Sequence, residues 1–383
     1  MASSPVARRL RLLVPAGVLA VLLLAGLVES FSASAVPDLP ALSAQQLIAK
    51  VQQTKVRQFS GTIELASSLG IPNLSSLQGN DTVAGFNPAD LLSGAHRADV
   101  AVDGPDRQRL AMKGALSEID VVHNGRDLWT WQSDGSLVSH RLLPAHADKP
   151  DADAADKQPA MPVPTPEALA KQFLDKITPS TAVSVDTPAQ IAGHDAYELV
   201  LTPHAATSTI DHVAMAIDAS NGFPLQVSAW AKGANKPAVR LGFVKLDYAK
   251  PSGSFTFSAP PGSKTTTQAT AERRLRFRQR HHQGAANGRP PLTPQGTPSS
   301  GTSNPHGHNV VGQDWTQVVI LDHFTLPRGQ GYEIMHAATS VSGAFGSGRL
   351  LRSDLVNVLF LNDGRVAVGF VTPSALEAAV AHA

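Results

Sequence analysis

The chain contains no cysteine. That absence excludes disulfide staples, thiolate chemistry and a cysteine-borne lipid anchor. Aromatic residues make up only 5% of the chain and charged residues 16%, with Lys+Arg 32 set against Asp+Glu 31 for a net charge of +1. So even a balance projects no global field, and nothing in it points to nucleic acid or an acidic partner. Signatures of chemistry are missing as well: there is no GxSxG, no HExxH and no P-loop. His123, His140, His194, His204 and His212 are scattered over turns and strand ends, with no two placed on one face with a nucleophile. His281-His282 and His306-x-His308 sit in a stretch too poor in apolar residues to fix a metal shell. The glycine-rich GAFGSGRL, residues 343–350, reads as a loop, because it follows a helical pattern and precedes a strand, the reverse of a phosphate-binding turn. These exclusions point to a non-enzymatic protein without a metal or organic cofactor.

What is present begins at the N-terminus. Arg8, Arg9 and Arg11 precede LLVPAGVLAVLLLAGLV, an uncharged run, and Ala33-Ser34-Ala35 supplies an A-x-A cleavage pattern. Residues 1–35 therefore read as a signal peptide or N-terminal membrane anchor, with cleavage preferred because the run is short for a span. Either outcome places the body outside the cytoplasm, secreted or tethered to the membrane.

Residues 36–264 carry the patterning of one folded body. Ser43 and Gln46 have capping-box spacing ahead of a Leu47, Ile48, Val51 stripe, and Thr62 to Leu65 alternate as a strand. Residues 67–94 read as a surface excursion with a helical turn near residues 88–92. From residue 96 five short runs alternate with period two between turns, which predicts an antiparallel meander with one buried face. Val100, Val102, Leu110, Met112, Ile119, Val121, Trp129 and Trp131 are assigned to that face. Residues 144–165 read as a tether, after which Thr165 caps a helix over 166–177 whose stripe is Leu169, Phe173 and Ile177. AYELVLTP, DHVAMAIDASNG, FPLQVSAW and AVRLGFVKLDY follow as four strands, Asn221-Gly222 marks a two-residue hairpin, and FTFSAPPGSK ends the region as a last strand.

Residues 265–308 are a different material, basic at first and then rich in Gly, Pro and Ser, and their composition predicts a disordered linker. Residues 309–383 read as strand, helix, hairpin and helix, a small C-terminal α/β module.

Several of these phrases are similar to one family. AYELVLTP, AIDASNGFPLQVSAW, FVKLDY and FTFSAPPG resemble the closing part of the LolA-like superfamily, which includes the outer-membrane lipoprotein carrier and the sensor domain of the RseB/MucB regulators. VDGPDRQRLAM and HNGRDLWTWQSDG resemble its middle strands, above all in its exported actinobacterial-type branch. The resemblance implies an α+β fold: a large curved antiparallel sheet of roughly ten or eleven strands, a half-open barrel, with helices over its concave face. It also implies an apolar cavity on that face, to which the period-two placement assigns Val121, Trp129, Trp131, Leu199, Met215, Ile217, Val227 and Phe243 as ligand-binding residues. Leu169, Phe173 and Ile177 would then form a lid. Two functions follow. One is a carrier or chaperone that shields the acyl chain of a lipid or lipoprotein; the other is an envelope sensor that binds a membrane protein partner and regulates an anti-sigma factor.

Overall fold

The computed structural model describes residues 37–71, 93–114, 118–143, 165–174, 177–253, 255–267, 308–322 and 335–383. The expected leader, the helical turn near 88–92, the 144–164 tether and the body of the linker lie outside these residues. The chain divides into two units, Met1–Asp38 and Leu39–Ala383, and the fold is that of the second.

Twelve strands make one large curved, unclosed sheet. They are β1 (Gln58–Ser68), β2 (Ser93–Asp103), β3 (Arg107–Lys113), β4 (Glu118–Asn124), β5 (Asp127–Gln132), β6 (Leu137–Leu142), β7 (Thr181–Ile191), β8 (His194–Pro203), β9 (Ile210–Asp218), β10 (Pro224–Ala231), β11 (Val239–Asp247) and β12 (Lys264–Thr267). Their order is β12-β6-β5-β4-β3-β2-β1-β11-β10-β9-β8-β7. Two up-and-down meanders therefore meet at a single seam, where β1 pairs with β11, Ser60 opposite Asp247 and Ser67 opposite Val239. Every pairing in this sheet is antiparallel except β12 with β6. Register breaks at Thr62/Ile63, Asp186/Ala189, Pro224/Gln226 and Trp230/Ala231 supply the bends that let so wide a sheet curl.

The strand count exceeds the expected ten or eleven, and three details differ from the sequence reading. β7 was missed: Val183 and Val185 alternate correctly, but Pro188 sits inside the run, at the register break where an edge strand tolerates it. The hairpin between β9 and β10 is longer than two residues, since Asp218 N–H donates to the Phe223 carbonyl at 2.9 Å, leaving residues 219–222 in the turn. The last strand begins at Lys264, not at Phe255.

Helix α1 (Ala44–Gln52) starts at the Ser43 capping box, with Gln46 N–H 3.3 Å from Ser43 Oγ and Ser43 N–H 2.8 Å from Gln46 Oε1. Helix α2 (Pro166–Leu174) opens on Pro166, with Ala168 N–H reaching Thr165 Oγ1 at 3.2 Å. Both pack on one face of the sheet, Leu47 and Ala170 being buried among Leu199, Met215 and Val227.

A second sheet holds β13 (His308–Val311), β14 (Val318–Leu321), β15 (Thr339–Gly343), β16 (Gly346–Leu351), β17 (Asn357–Leu361) and β18 (Val366–Gly369) in the order β13-β14-β18-β17-β16-β15. Helix α3 (Pro373–Ala381), capped by Thr372, lays Leu376 and Val380 against it. The hairpin β17–β18 and this helix match the sequence reading. Within GYEIMHAATSVSG, where a helix is expected, residues 335–337 are helical and residues 339–343 form strand β15, and GAFGSGRL is the turn and second strand of a β-hairpin rather than a plain loop.

Candidate ligand-binding face

Cross-strand register decides which side chains share a face, since directly opposed residues point the same way. Leu199 opposes Met215, Met215 opposes Val227, Val227 opposes Leu241, and Leu241 and Phe243 oppose Leu65 and Ile63. Continuing outward, Ile63 opposes Ala98, Val100 opposes Leu110, and Leu110 opposes Val121. Tyr197, opposite Ile217, belongs to the same series. One row of apolar side chains thus runs from β4 to β8 on a single face, and it is the concave face covered by the helices. Six of the expected residues, Val121, Leu199, Met215, Ile217, Val227 and Phe243, lie on it, all of them buried.

Trp129 and Trp131 do not. Val121 opposes Thr130, whereas Trp129 opposes Val122 and Trp131 opposes Asp120, so both indoles stand on the outer face. The residues of β5 that join the inner face are Leu128, Thr130 and Gln132. Outside, Trp129 is sandwiched: its ring stacks on His140 at 3.9 Å and on Phe257 at 5.3 Å. Phe257 belongs to the segment that leaves β11 and arrives at β12 beside β6, so this segment crosses the outer surface of the sheet as a strap. The two tryptophans, with the buried Val122 and Val138, form the surface on which it lies.

The expected lid residues are all drawn into the inner core. Leu169 touches both halves of it, and the half-buried Phe173 and Ile177 pack against the β7–β11 half, the cluster that holds Leu199 and Leu201. Phe173 also stacks on Trp315 at 5.9 Å, with ring planes 16° apart. Trp315 precedes β14; it is buried, and its Nε1–H donates to Thr181 Oγ1 at 2.7 Å. Its neighbour Asp314 holds a left-handed backbone (φ 49°) and accepts from Thr178 Oγ1 and Ser180 Oγ, both at 2.9 Å. Further along, Thr372 N–H donates to the Thr207 carbonyl at 2.8 Å and Asp354 N–H to the Leu69 carbonyl at 2.9 Å. The second sheet is therefore fastened to the first beside helix α2. Trp315 escaped the sequence reading because a lone aromatic in a short module has no periodic partner.

Polar groups break the inner face at one end. Gln108 and His123 are directly opposed on β3 and β4, 2% and 4% exposed. Gln108 faces the β2–β3 turn and donates its amide to the Pro105 carbonyl at 3.2 Å, and His123 Nε2 lies 2.8 Å from the Gly125 carbonyl oxygen. At the first turn of α2, burial pushes the Glu167 carboxyl above its usual range, against the opposing pull of Arg57 and Lys171. At the β9–β10 hairpin the balance is reversed. Burial raises the Asp218 pKa, but donors from Ser220 Oγ, Tyr248 OH at 2.6 Å and the Ser220 and Asn221 amides outweigh it, and the carboxyl is held below the usual range. Burial and that same hydrogen bond to Asp218 push the Tyr248 phenol up. Among the described residues no group of three or more His, Asp or Glu side chains is arranged to hold a metal ion.

Fold and site together define an α+β half-barrel whose apolar concave face is roofed by two short helices. No family model matches the chain, and no curated protein matches it. Among solved structures the chain is similar to Pseudomonas aeruginosa MucB in its complex with MucA, at 13% identity over 88% of this chain and 96% of that one, with a TM-score of 0.38. It is similar also to a LolA superfamily protein from Nitrosomonas europaea, at 14% identity over 54% of this chain and 93% of that one (TM-score 0.19). A third likeness is to an uncharacterized conserved protein from Thermus thermophilus, at 9% identity over 59% of this chain and 99% of that one (TM-score 0.31). Among the described residues no helix is long and apolar enough to cross a membrane.

Proposed function

We propose that the protein is an exported, non-enzymatic carrier that shields the acyl chain of a lipid or lipoprotein against the concave face, close to the membrane. The observation that supports this reading is the face itself: a row of apolar side chains from Val121 to Leu199, roofed by helices of nine residues each. So short a helix has little stability of its own and depends on the apolar contacts it makes. An acyl chain offers the sheet equivalent contacts, at about 0.8 kcal/mol for each buried CH₂, so a dozen methylenes supply roughly 10 kcal/mol without a specific polar contact. Leu169, Phe173 and Ile177 would be displaced together, as a lid. The test is native mass spectrometry of the gently purified exported chain. Co-purified lipid, displaceable by an environment-sensitive fluorescent fatty acid, is the expected result; a bare protein that ignores the probe would overturn the reading.

A second reading, an envelope sensor that relays the state of this face to a membrane protein partner, is favoured by one contact. Phe173 on the lid stacks on Trp315 of the C-terminal sheet, so movement of the helix alters the surface that sheet presents.

A further inference from the structure

The inner face carries two orphaned acceptors side by side. Gln108 Oε1 and His123 Nδ1 are both buried without a hydrogen-bond partner. Their chemistry is fixed by what the other ends of the same side chains do. Gln108 commits its amide N–H to Pro105, which leaves Oε1 as a pure acceptor. His123 Nε2 faces the Gly125 carbonyl oxygen, itself an acceptor, so Nε2 is the ring's donor there, and in the tautomer this contact fixes Nδ1 offers a lone pair. The two residues are directly opposed on β3 and β4, which brings their Cβ atoms to within about 4.5–5.5 Å. Two acceptors cannot satisfy one another. Val102 and Leu128 are the next strands' residues in register, Leu110 and Val121 stand two residues along the same two strands on the same face, and none of these four supplies a side-chain donor.

We propose that Gln108 and His123 form the polar end of the lipid site and select a neutral headgroup bearing two adjacent hydroxyls, as in a monoacylglycerol. This inference rests on the carrier reading above. A carboxylate or phosphate brings further acceptors and is repelled. An ammonium would be a buried charge facing apolar side chains with no counter-ion, the costliest arrangement of all. A single alcohol satisfies one acceptor and leaves the other. A vicinal diol donates one O–H to each, and its acyl chain then continues along Leu110 and Val121 into the stripe that reaches Phe243 and Met215.

The test is displacement of an apolar fluorescent probe from the full chain by 1-monopalmitoylglycerol, by methyl palmitate and by palmitic acid, which share a chain and differ at the head. Monopalmitoylglycerol is expected to bind at least tenfold tighter than the methyl ester, the effect of satisfying buried acceptors that otherwise stay unpaired. The double substitution Gln108→Met, His123→Leu is expected to erase that preference, because apolar replacements of similar size remove both acceptors at once. Equal binding of the glyceride and the ester by the unaltered protein would overturn the inference and leave the carrier reading standing, with water alone serving the pair. Displacement by none of the three ligands would overturn both. The comparison in the unaltered protein decides the matter even if the double variant fails to fold.

Discussion

At the scale of single residues, two carboxyls with opposite environments make opposite contributions to stability against pH. The Asp218 carboxyl is held below its usual range by its donors, so its stabilising contribution is complete above about pH 4 and is lost as the pH falls through its lowered folded value. Glu167 is raised by burial, so its contribution is complete below about pH 4 and is lost as the pH rises through its raised folded value. Asp218→Asn is therefore expected to lower the melting temperature most at neutral pH and least near pH 2, and Glu167→Gln to raise it at pH 7 with no gain at pH 3.5; thermal melts across that range check both. The same scale shows what the sequence could and could not convey. That Trp129 and Trp131 share a face with each other follows from their spacing alone. Which face they take follows from the turn: the two residues Gly125 and Arg126 lie between the opposed Asn124 and Asp127, and a loop of even length always opposes odd-numbered to even-numbered positions. Trp129 and Val121, both odd, are thereby sent to opposite sides. Val122, apolar and out of phase with Ile119 and Val121, was the sign that the outer face is covered too.

Elements show the next level of control. Helix α2 has nine residues and a half-buried stripe, so its position depends on what it touches, and one of its contacts belongs to the C-terminal sheet. Trp315→Ala is expected to cost about 3–5 kcal/mol, as for other buried large aromatics. A double-mutant cycle with Phe173→Ala is expected to return a coupling of about 0.5–1.5 kcal/mol, the range for a stacked aromatic pair; a coupling of zero would separate the helix from the module. Phe173→Asp is expected to loosen the helix and to increase binding of a fluorescent fatty acid while circular dichroism stays unchanged, and an unaltered titration would make the helix a fixed part of the core. Element type was legible where periodicity was long, as in β8 to β11 and α3. It failed for β7, whose Pro188 reads as a breaker, and for β13, β15 and β16, which are short or glycine-bearing and are defined by their partners rather than by their own pattern. The polar end of the inner face was likewise invisible, because Gln108 and His123 look like ordinary turn-flanking residues until register opposes them.

At the scale of the whole molecule, the two sheets are joined through Trp315, Asp314, Thr372 and Asp354, a set of contacts that does not depend on the basic stretch in between. Trypsin is expected to cut at the arginines between Arg273 and Arg280, and the fragments are expected to co-elute in gel filtration. Trp315→Ala is expected to let them part, and co-elution of the cut variant would show that the remaining contacts suffice. The β1–β11 seam carries a different consequence, one of timing. Each meander closes by contacts between neighbours in sequence, the kind of structure a chain finds quickly, while Ser60 must wait for Asp247 to be made and delivered before the two halves can meet. A protein threaded outward from its N-terminus would hold a half-finished sheet with β1 as a bare edge until β11 arrives, which makes that strand the interval in which assembly with a neighbouring chain competes with completion of the fold.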